Sequence, residues 1–530
     1  MNKHPNAFAI IALLAITAVT SPVFAQDDLR ILRRGIAGDP ESLDPHRLLS
    51  AFESTIMTDM FIALATTAPD DSPIPGSAES WIVSDDGLTY TFNMRDGLLW
   101  SDGTPLDAYD FLYSFRRQLD PATASRTAEY FRPIVNAKAV SKGEKPVESL
   151  GVEAVDADTL IIRLAHPAPY FIDILAIDAR PVPRHVVEKF GREWTRPENM
   201  VVNGPFKLAE WSPSSHVKLV KNANFFDADN VLVDEVFQIP SEDMGTAFRR
   251  FRSGEMDTLV FFPPNQMDFI RETMPDVLHI TQGLTTELYV FNTDKPPFDD
   301  VRVRRALSMA IDRELLANRV LRTGEIPAYG YIPSTVNSYP NQARADFADW
   351  TMDQRRTEAT RLLEEAGFGS DNPLTVPIRY NTIELQVKQA SAISAMWKQI
   401  GVQTELINSE RRVLAADRMS GNFEVARYLH VAGNYDAASF LLWLHSELSS
   451  RNFSNYESSE YNALFNAAWR ENDPAERSRK TNLAEAQALK DHPMIPLYYY
   501  SGRRLVRPHV KGWVDNARGV YPSRWLSIIR

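Results

Sequence analysis

The chain has 530 residues, 44% of them hydrophobic and 24% charged, close to the soluble globular average. Collagenous, low-complexity and wholly disordered chains are thereby excluded, and the length suggests roughly three to five units. With 57 Lys and Arg against 69 Asp and Glu, the net charge of −12 argues against a generalised nucleic-acid surface, and the absence of Cys excludes disulfides, thiolate nucleophiles and Cys-ligated metals.

The first predicted element is a targeting segment. Lys3 and His4 precede an apolar run from Ala7 to Val19, and Val23-Phe24-Ala25 gives a small-residue cleavage pattern before Gln26. The run is shorter than the about 20 residues that a membrane span needs. A cleavable secretory signal over 1–25 is therefore expected. Its removal takes away one Lys and no acid, leaving a charge of −13. No Cys is present for lipid attachment, so a freely soluble periplasmic protein is expected.

Along the rest of the chain, period-two alternation predicts strands at Leu88–Met94 and Asp158–Leu164, with turns at Arg95-Asp96-Gly97 and Ser101–Pro105. Leu288–Phe291 is a further strand. Helical spacing predicts one helix from Arg302 to Leu321. Thr351 and Gln354 form a capping-box signature for a helix that stops near Gly367. A long helix is expected over Glu384–Ile400, with Gly401 just beyond it. Asp473-Pro474 starts another that ends before His492-Pro493. Met494–Tyr500 reads as a final apolar strand closed by Ser501-Gly502. Strands and helices intermix without repeats or linkers, which favours α/β domains that interrupt one another.

Catalytic signatures are missing. There is no nucleophile elbow, phosphate loop or dinucleotide fingerprint, and no two His residues stand three or four apart as a helical zinc site requires. No enzyme activity, metal or cofactor is expected. The aromatics (10 Trp, 18 Tyr, 27 Phe) fit either core packing or a walled pocket with a few polar anchors.

The stretch Ala78-Glu79-Ser80-Trp81 through Tyr90–Pro105 and Asp110-Phe111 resembles the signature of the periplasmic oligopeptide-binding proteins of ABC importers, the family 5 solute-binding proteins. The resemblance includes Leu43-Asp44-Pro45 near the start and continues, in order, through Val202–Leu208, Phe251–Asp257, Pro297–Arg304, Ala366-Gly367-Phe368, Tyr380-Asn381-Thr382, Val425-Ala426-Arg427 and Ile495–Tyr500. It implies an α/β fold of the two-lobed type II periplasmic binding protein class, with an extra inserted domain. Its three domains would be a discontinuous lobe I (26–61, 186–284 and 501–530), a small inserted domain (62–185) and lobe II (285–500). It implies a peptide or peptide-like ligand held between the lobes, delivery to an inner-membrane permease with its ATPase subunits, no nucleic acid and a monomer. A ligand sensor on the same fold, for a cell-wall peptide or other anionic solute, is the alternative.

Residue by residue, the family's ligand positions carry over to Arg418, Arg427, Asn381 and Tyr499. Other positions differ. The acidic anchor for a peptide's amino group falls on Gly433, with Asn434 and Asp436 nearby but out of register. A loop Trp appears as His430, a Tyr as Thr127, an acidic residue as Val290, a Lys and a His as Leu321 and Gln386, and a pocket Trp as Arg411. Retained Arg427 and Arg418 beside Arg411 form an expected cationic corner, while the amine anchor is gone. An anionic ligand or a peptide with a blocked amino terminus is the expectation; the arginines have an alternative role as internal salt-bridge partners.

Overall fold

The computed structural model describes residues 29–48, 50–432, 434–449 and 451–529. The expected signal segment and Gly433 lie outside the described residues.

The backbone is organised around one long sheet. Its strands are β1 (Ile31–Ile36), β2 (Phe206–Ser212), β3 (His216–Lys221), β4 (Glu235–Pro240), β5 (Thr258–Leu259), β6 (Leu278–Phe291), β7 (Thr375–Asn381), β8 (Gln403–Ser409), β9 (Val425–Val431) and β10 (Met494–Val506). The spatial order is β8-β7-β9-β6-β10-β5-β1-β4-β3-β2, with Ile326–Pro327 added beside β10. At one end β1 runs parallel to β4 and β5, and at the other β7 runs parallel to β8 and β9. Between them β6 and β10 form an antiparallel ribbon. β10 reaches across to β5 through Leu505 opposite Leu259, while β6 pairs with β9 over Thr285–Phe291. Two α/β lobes thus share a sheet through this ribbon. Its register shifts between Gln282 and Thr286, where it passes from one lobe to the other.

Met494–Tyr500 is a strand as expected, but it does not stop at Ser501-Gly502. Gly502 pairs with Thr281, and the ladder continues to Val506. The helix expected from Arg302 to Leu321 is also different. It ends at Met309; Asp312 caps a new turn by accepting from the Leu315 amide, and a π-helical turn follows over Leu316–Leu321. The buried Arg313 side chain explains the break. It donates to the carbonyls of Ser308, Ile311 and Pro496, using groups that a continuous helix would have kept for itself. The other helices follow their caps. Thr351 and Gln354 close both bonds of the capping box for Met352–Glu365. Glu384–Lys398 stops before Gly401 at φ +79°, and Asp473 caps Pro474–Asp491.

A separate four-stranded sheet is built from Ala78–Val83, Thr89–Met94, Thr159–Arg163 and Val152–Ala154. The signature segment supports this smaller unit. The Trp100 indole donates to Asp110, and Asp102 closes the Ser101–Pro105 turn by accepting from the Thr104 amide and hydroxyl. Asp107 and Asp110 form the capping box of helix Ala108–Leu119. One hydrophobic core joins this sheet to the β1 lobe through Phe92, Trp100, Phe111, Trp194 and Phe206. Two more cores fill the other lobe, around Tyr289, Ile378 and Trp397 and around Leu288, Phe440 and Tyr461. Burial of each such side chain contributes about 1.5–3 kcal/mol. Among the described residues no helix is long and apolar enough to cross a membrane.

Candidate functional site

A cavity of about 710 Å³ lies where the ribbon crosses between the lobes. The β1 lobe supplies Arg34 and Ile36 from β1, Phe52 from helix Ala51–Met60, Phe261 beyond β5, Arg504 from β10, and Arg518 and Tyr521 from the C-terminal segment. The smaller unit adds Arg126, Thr127, Tyr130 and Asp178. Leu284 and Thr285 come from the irregular part of β6, and Val431 and Ala432 from the end of β9. The walls are therefore apolar and aromatic with a few charged groups, as a site for an organic solute requires.

The charged groups are not equivalent. Arg34 donates to the Tyr521 carbonyl at 2.9 Å and the Ser523 hydroxyl at 2.8 Å, and lies 3.6 Å from Asp59. Arg518 donates to Asp173 at 2.7 Å, lies 3.4 Å from Asp71, and stacks over the Tyr435 ring. Both are neutralised by protein carboxylates. Burial pushes the Asp71 carboxyl up to about 6, against the pull of Arg518 and the Tyr435 hydroxyl. Burial likewise raises Asp178 to about 6, opposed by Arg180 and Arg518. In contrast, Arg126 and Arg504 have no hydrogen bond or ion pair among the described residues. The cavity is cationic inside an acidic protein.

Further contacts join the second lobe to the smaller unit. Tyr435 donates to Asp71 at 2.9 Å, Arg451 lies 3.7 Å from Glu129, and Asn472 donates to the Asp86 carbonyl at 3.0 Å. Trp469 packs against Tyr170 and His166.

Of the residues expected from the sequence, all the described ones except Arg411 are buried or half-buried in the second lobe. Arg427 on β9 grips both Glu287 oxygens at 2.7 Å each. Glu287 also accepts from Gln389, which accepts in turn from the Tyr498 hydroxyl. Arg418 donates to the Arg427 carbonyl at 2.8 Å and lies over the Tyr428 and Phe453 rings. Arg418 and Arg427 are thus brought together. Arg411 is exposed at the start of helix Arg411–Ser420. The Tyr499 hydroxyl donates to the Gly330 carbonyl, and Asn381 is buried with its Oδ1 unpartnered. His430 is buried among Trp443, Phe440 and Tyr428, and burial alone lowers its pKa to about 3, so the ring is neutral. Asp436 is committed to Arg477 by two bonds at 2.8–2.9 Å, and Asn434 accepts from Ser439 and from the Asp436 amide.

None of the six described candidates is among the cavity-lining side chains. Strand alternation accounts for one boundary: His430 points into the lobe, and Val431, next on β9, is 55% exposed and lines the cavity. Of the positions where the sequence departs from its resemblance, Thr127 does face the cavity. Arg504, Arg518, Phe261 and Tyr521 were not singled out from the sequence. The signal available for Arg504 was a pair of arginines following Gly502 in an otherwise apolar strand.

Comparison with known proteins gives consistent matches. Residues 72–452 match the family described as bacterial extracellular solute-binding proteins, family 5 Middle. The periplasmic oligopeptide-binding protein OppA of Escherichia coli K12 is 37% identical over 487 residues, covering 91% of this chain and 89% of that protein. The probable deoxycholate-binding periplasmic protein YgiS of the same strain is 36% identical, with 91% and 90% covered. Among solved structures, the unliganded open form of the periplasmic murein tripeptide-binding protein MppA superposes with a TM-score of 0.85 at 34% identity, covering 95% of this chain and 98% of that one.

Proposed function

The chain belongs to the family 5 bacterial extracellular solute-binding proteins, and from that premise we propose that it captures oligopeptides or modified peptides in the inter-lobe cavity and delivers them to a membrane permease. The observation that carries this reading is a cavity walled from both lobes at the ribbon that joins them. A peptide buried there must satisfy its backbone groups and charged termini, and the polar groups and arginines set among apolar walls offer partners to the backbone and to a carboxylate. Hinge closure about a two-strand connection is the movement such an architecture permits.

Within this reading the units that move are 26–61 with 186–284 and 501–530, the inserted 62–185, and 285–500. Arg427, Arg418, Tyr499 and His430 serve the site by holding β9 and β10 in place behind its wall, with Asn381 on β7 and Arg411 in the same lobe. The protein works in the periplasm after cleavage of residues 1–25, acts as a monomer and turns over no substrate.

Calorimetric titration with free and N-acetylated tri- to pentapeptides tests the proposal. Saturable one-to-one binding with a negative heat-capacity change is expected, since apolar surface is buried. Absence of binding across the whole panel would overturn it.

A further inference from the structure

Arg504 is held as if for a partner that the protein does not supply. Its guanidinium lies over the Tyr521 ring, 4.8 Å from the centroid. On its sides run the backbones of Gly502 and Gly519, and a Cβ at either glycine would overlap the guanidinium nitrogens. Gly519 has φ +70°, which also favours glycine there. The slot therefore fixes the head group sterically, without a hydrogen bond. Its Nε is buried and unpartnered, and no carboxylate of the described residues pairs with it. The other deeply seated arginines of the cavity differ on this point, because Asp59 answers Arg34 and Asp71 and Asp173 answer Arg518.

A guanidinium held in place with a buried, unpartnered Nε is costly, and it is the group best suited to bidentate carboxylate recognition. The same cavity wall carries the apolar side chains of Phe52, Phe261, Leu284 and Val431. Among the described residues the one carboxylate lining the cavity is Asp178, which burial already disfavours as an anion.

We propose that Arg504 is the anion anchor of the cavity, receiving a carboxylate at one end of a ligand whose apolar body lies against these walls. The proposal rests on capture of a solute in this cavity and adds the end of the ligand that is recognised. A free amino group is not required; a free carboxylate is. Position reinforces the assignment, since Arg504 lies on β10 next to the point where the ribbon passes between lobes, and Thr285 and Val431 reach the same cavity from the other side. An anion seated on Arg504 is therefore placed where both lobes contact the ligand.

The test titrates the protein with Leu-Leu-Leu, its C-terminal amide and dodecanoate, using wild type, Arg504→Gln and Arg504→Lys. Wild type is expected to bind the acid at least tenfold more tightly than the amide. Arg504→Gln should shrink that ratio below threefold with the amide affinity unchanged. Arg504→Lys, which keeps the charge but loses the fork, should retain an intermediate ratio, and it keeps the proposal testable if the Gln variant folds poorly. Equal affinity for acid and amide in wild type would overturn the anchor, as would an undiminished ratio in Arg504→Gln. Binding of dodecanoate alone, weakened tenfold by Arg504→Gln, would refute peptide capture and uphold the anchor. Failure of all three probes to bind would refute both.

Discussion

Arg427 is held from three directions: Glu287 takes both its side-chain bonds, Arg418 binds its carbonyl, and Tyr289 pairs with it across the ladder. Its side chain is 14% exposed and that of Glu287 only 1%. Removing the cation leaves a buried carboxylate with no counter-charge, a change that costs about 3–5 kcal/mol, whereas replacing both partners with apolar side chains is often near neutral. Arg427→Ala is expected to lose about 3–5 kcal/mol in urea unfolding, and Arg427→Met with Glu287→Leu to recover most of it. A loss under about 1 kcal/mol in the single variant would show that the pair does not hold β9. The same geometry explains why Arg418 and Arg427 do not reach the cavity lining. Arg411, Arg418 and Arg427 read as a cationic corner in the sequence because Glu287, 140 positions before Arg427, carries no local sign that it pairs with Arg427. Among the described residues the cavity arginines without a carboxylate partner are instead Arg126 and Arg504, and the seat of Arg504 depends on Gly519 and Tyr521 from a different segment.

At the scale of elements, the segment Val202–Leu208 shows how a recognisable motif can be structural. The Gly204 amide donates to the Met60 carbonyl, and Asn203 exchanges bonds with the amide and carbonyl of Ile62. A Cβ at Gly204 would overlap the Met60 backbone, which cannot yield as a flexible side chain could. Helix Ala51–Met60, which presents Phe52 to the cavity, is thereby locked against β2. Gly204→Ala is expected to destabilise the fold by about 1–3 kcal/mol, as overpacking does. Thermal unfolding measures this, and an unchanged midpoint would contradict the close-packing account. Elements with strong local signals were legible: the strand Thr89–Met94 by alternation, Met352–Glu365 by its capping box, Pro474–Asp491 by its Asp-Pro start. Elements decided by distant partners were not. The break at Ala310–Asp312 follows from Arg313 reaching Pro496, and β10 runs past Gly502 because β6 and β5 are there to pair with it. Both are tertiary effects that override local periodicity.

For the whole molecule, a net charge of −12 says little about the ligand. Acidic side chains dominate the count, yet the cavity concentrates arginines, and two of its four have no carboxylate partner among the described residues. The long sheet makes the lobes continuous in hydrogen bonding while leaving a two-strand connection between them. The contacts of the second lobe with the smaller unit at Tyr435–Asp71, Arg451–Glu129 and Trp469–Tyr170 join side chains rather than strands, and a hinge movement exchanges these readily. A solute held in the cavity touches both lobes, so capture and closure are one event. The most direct measurement is native mass spectrometry of the protein isolated from the periplasm of the cell that makes it, followed by identification of whatever denaturation releases. The account predicts one small peptide or peptide derivative with a free carboxylate per chain. A chain that emerges with a bound molecule lacking both peptide bonds and an anionic group would contradict it.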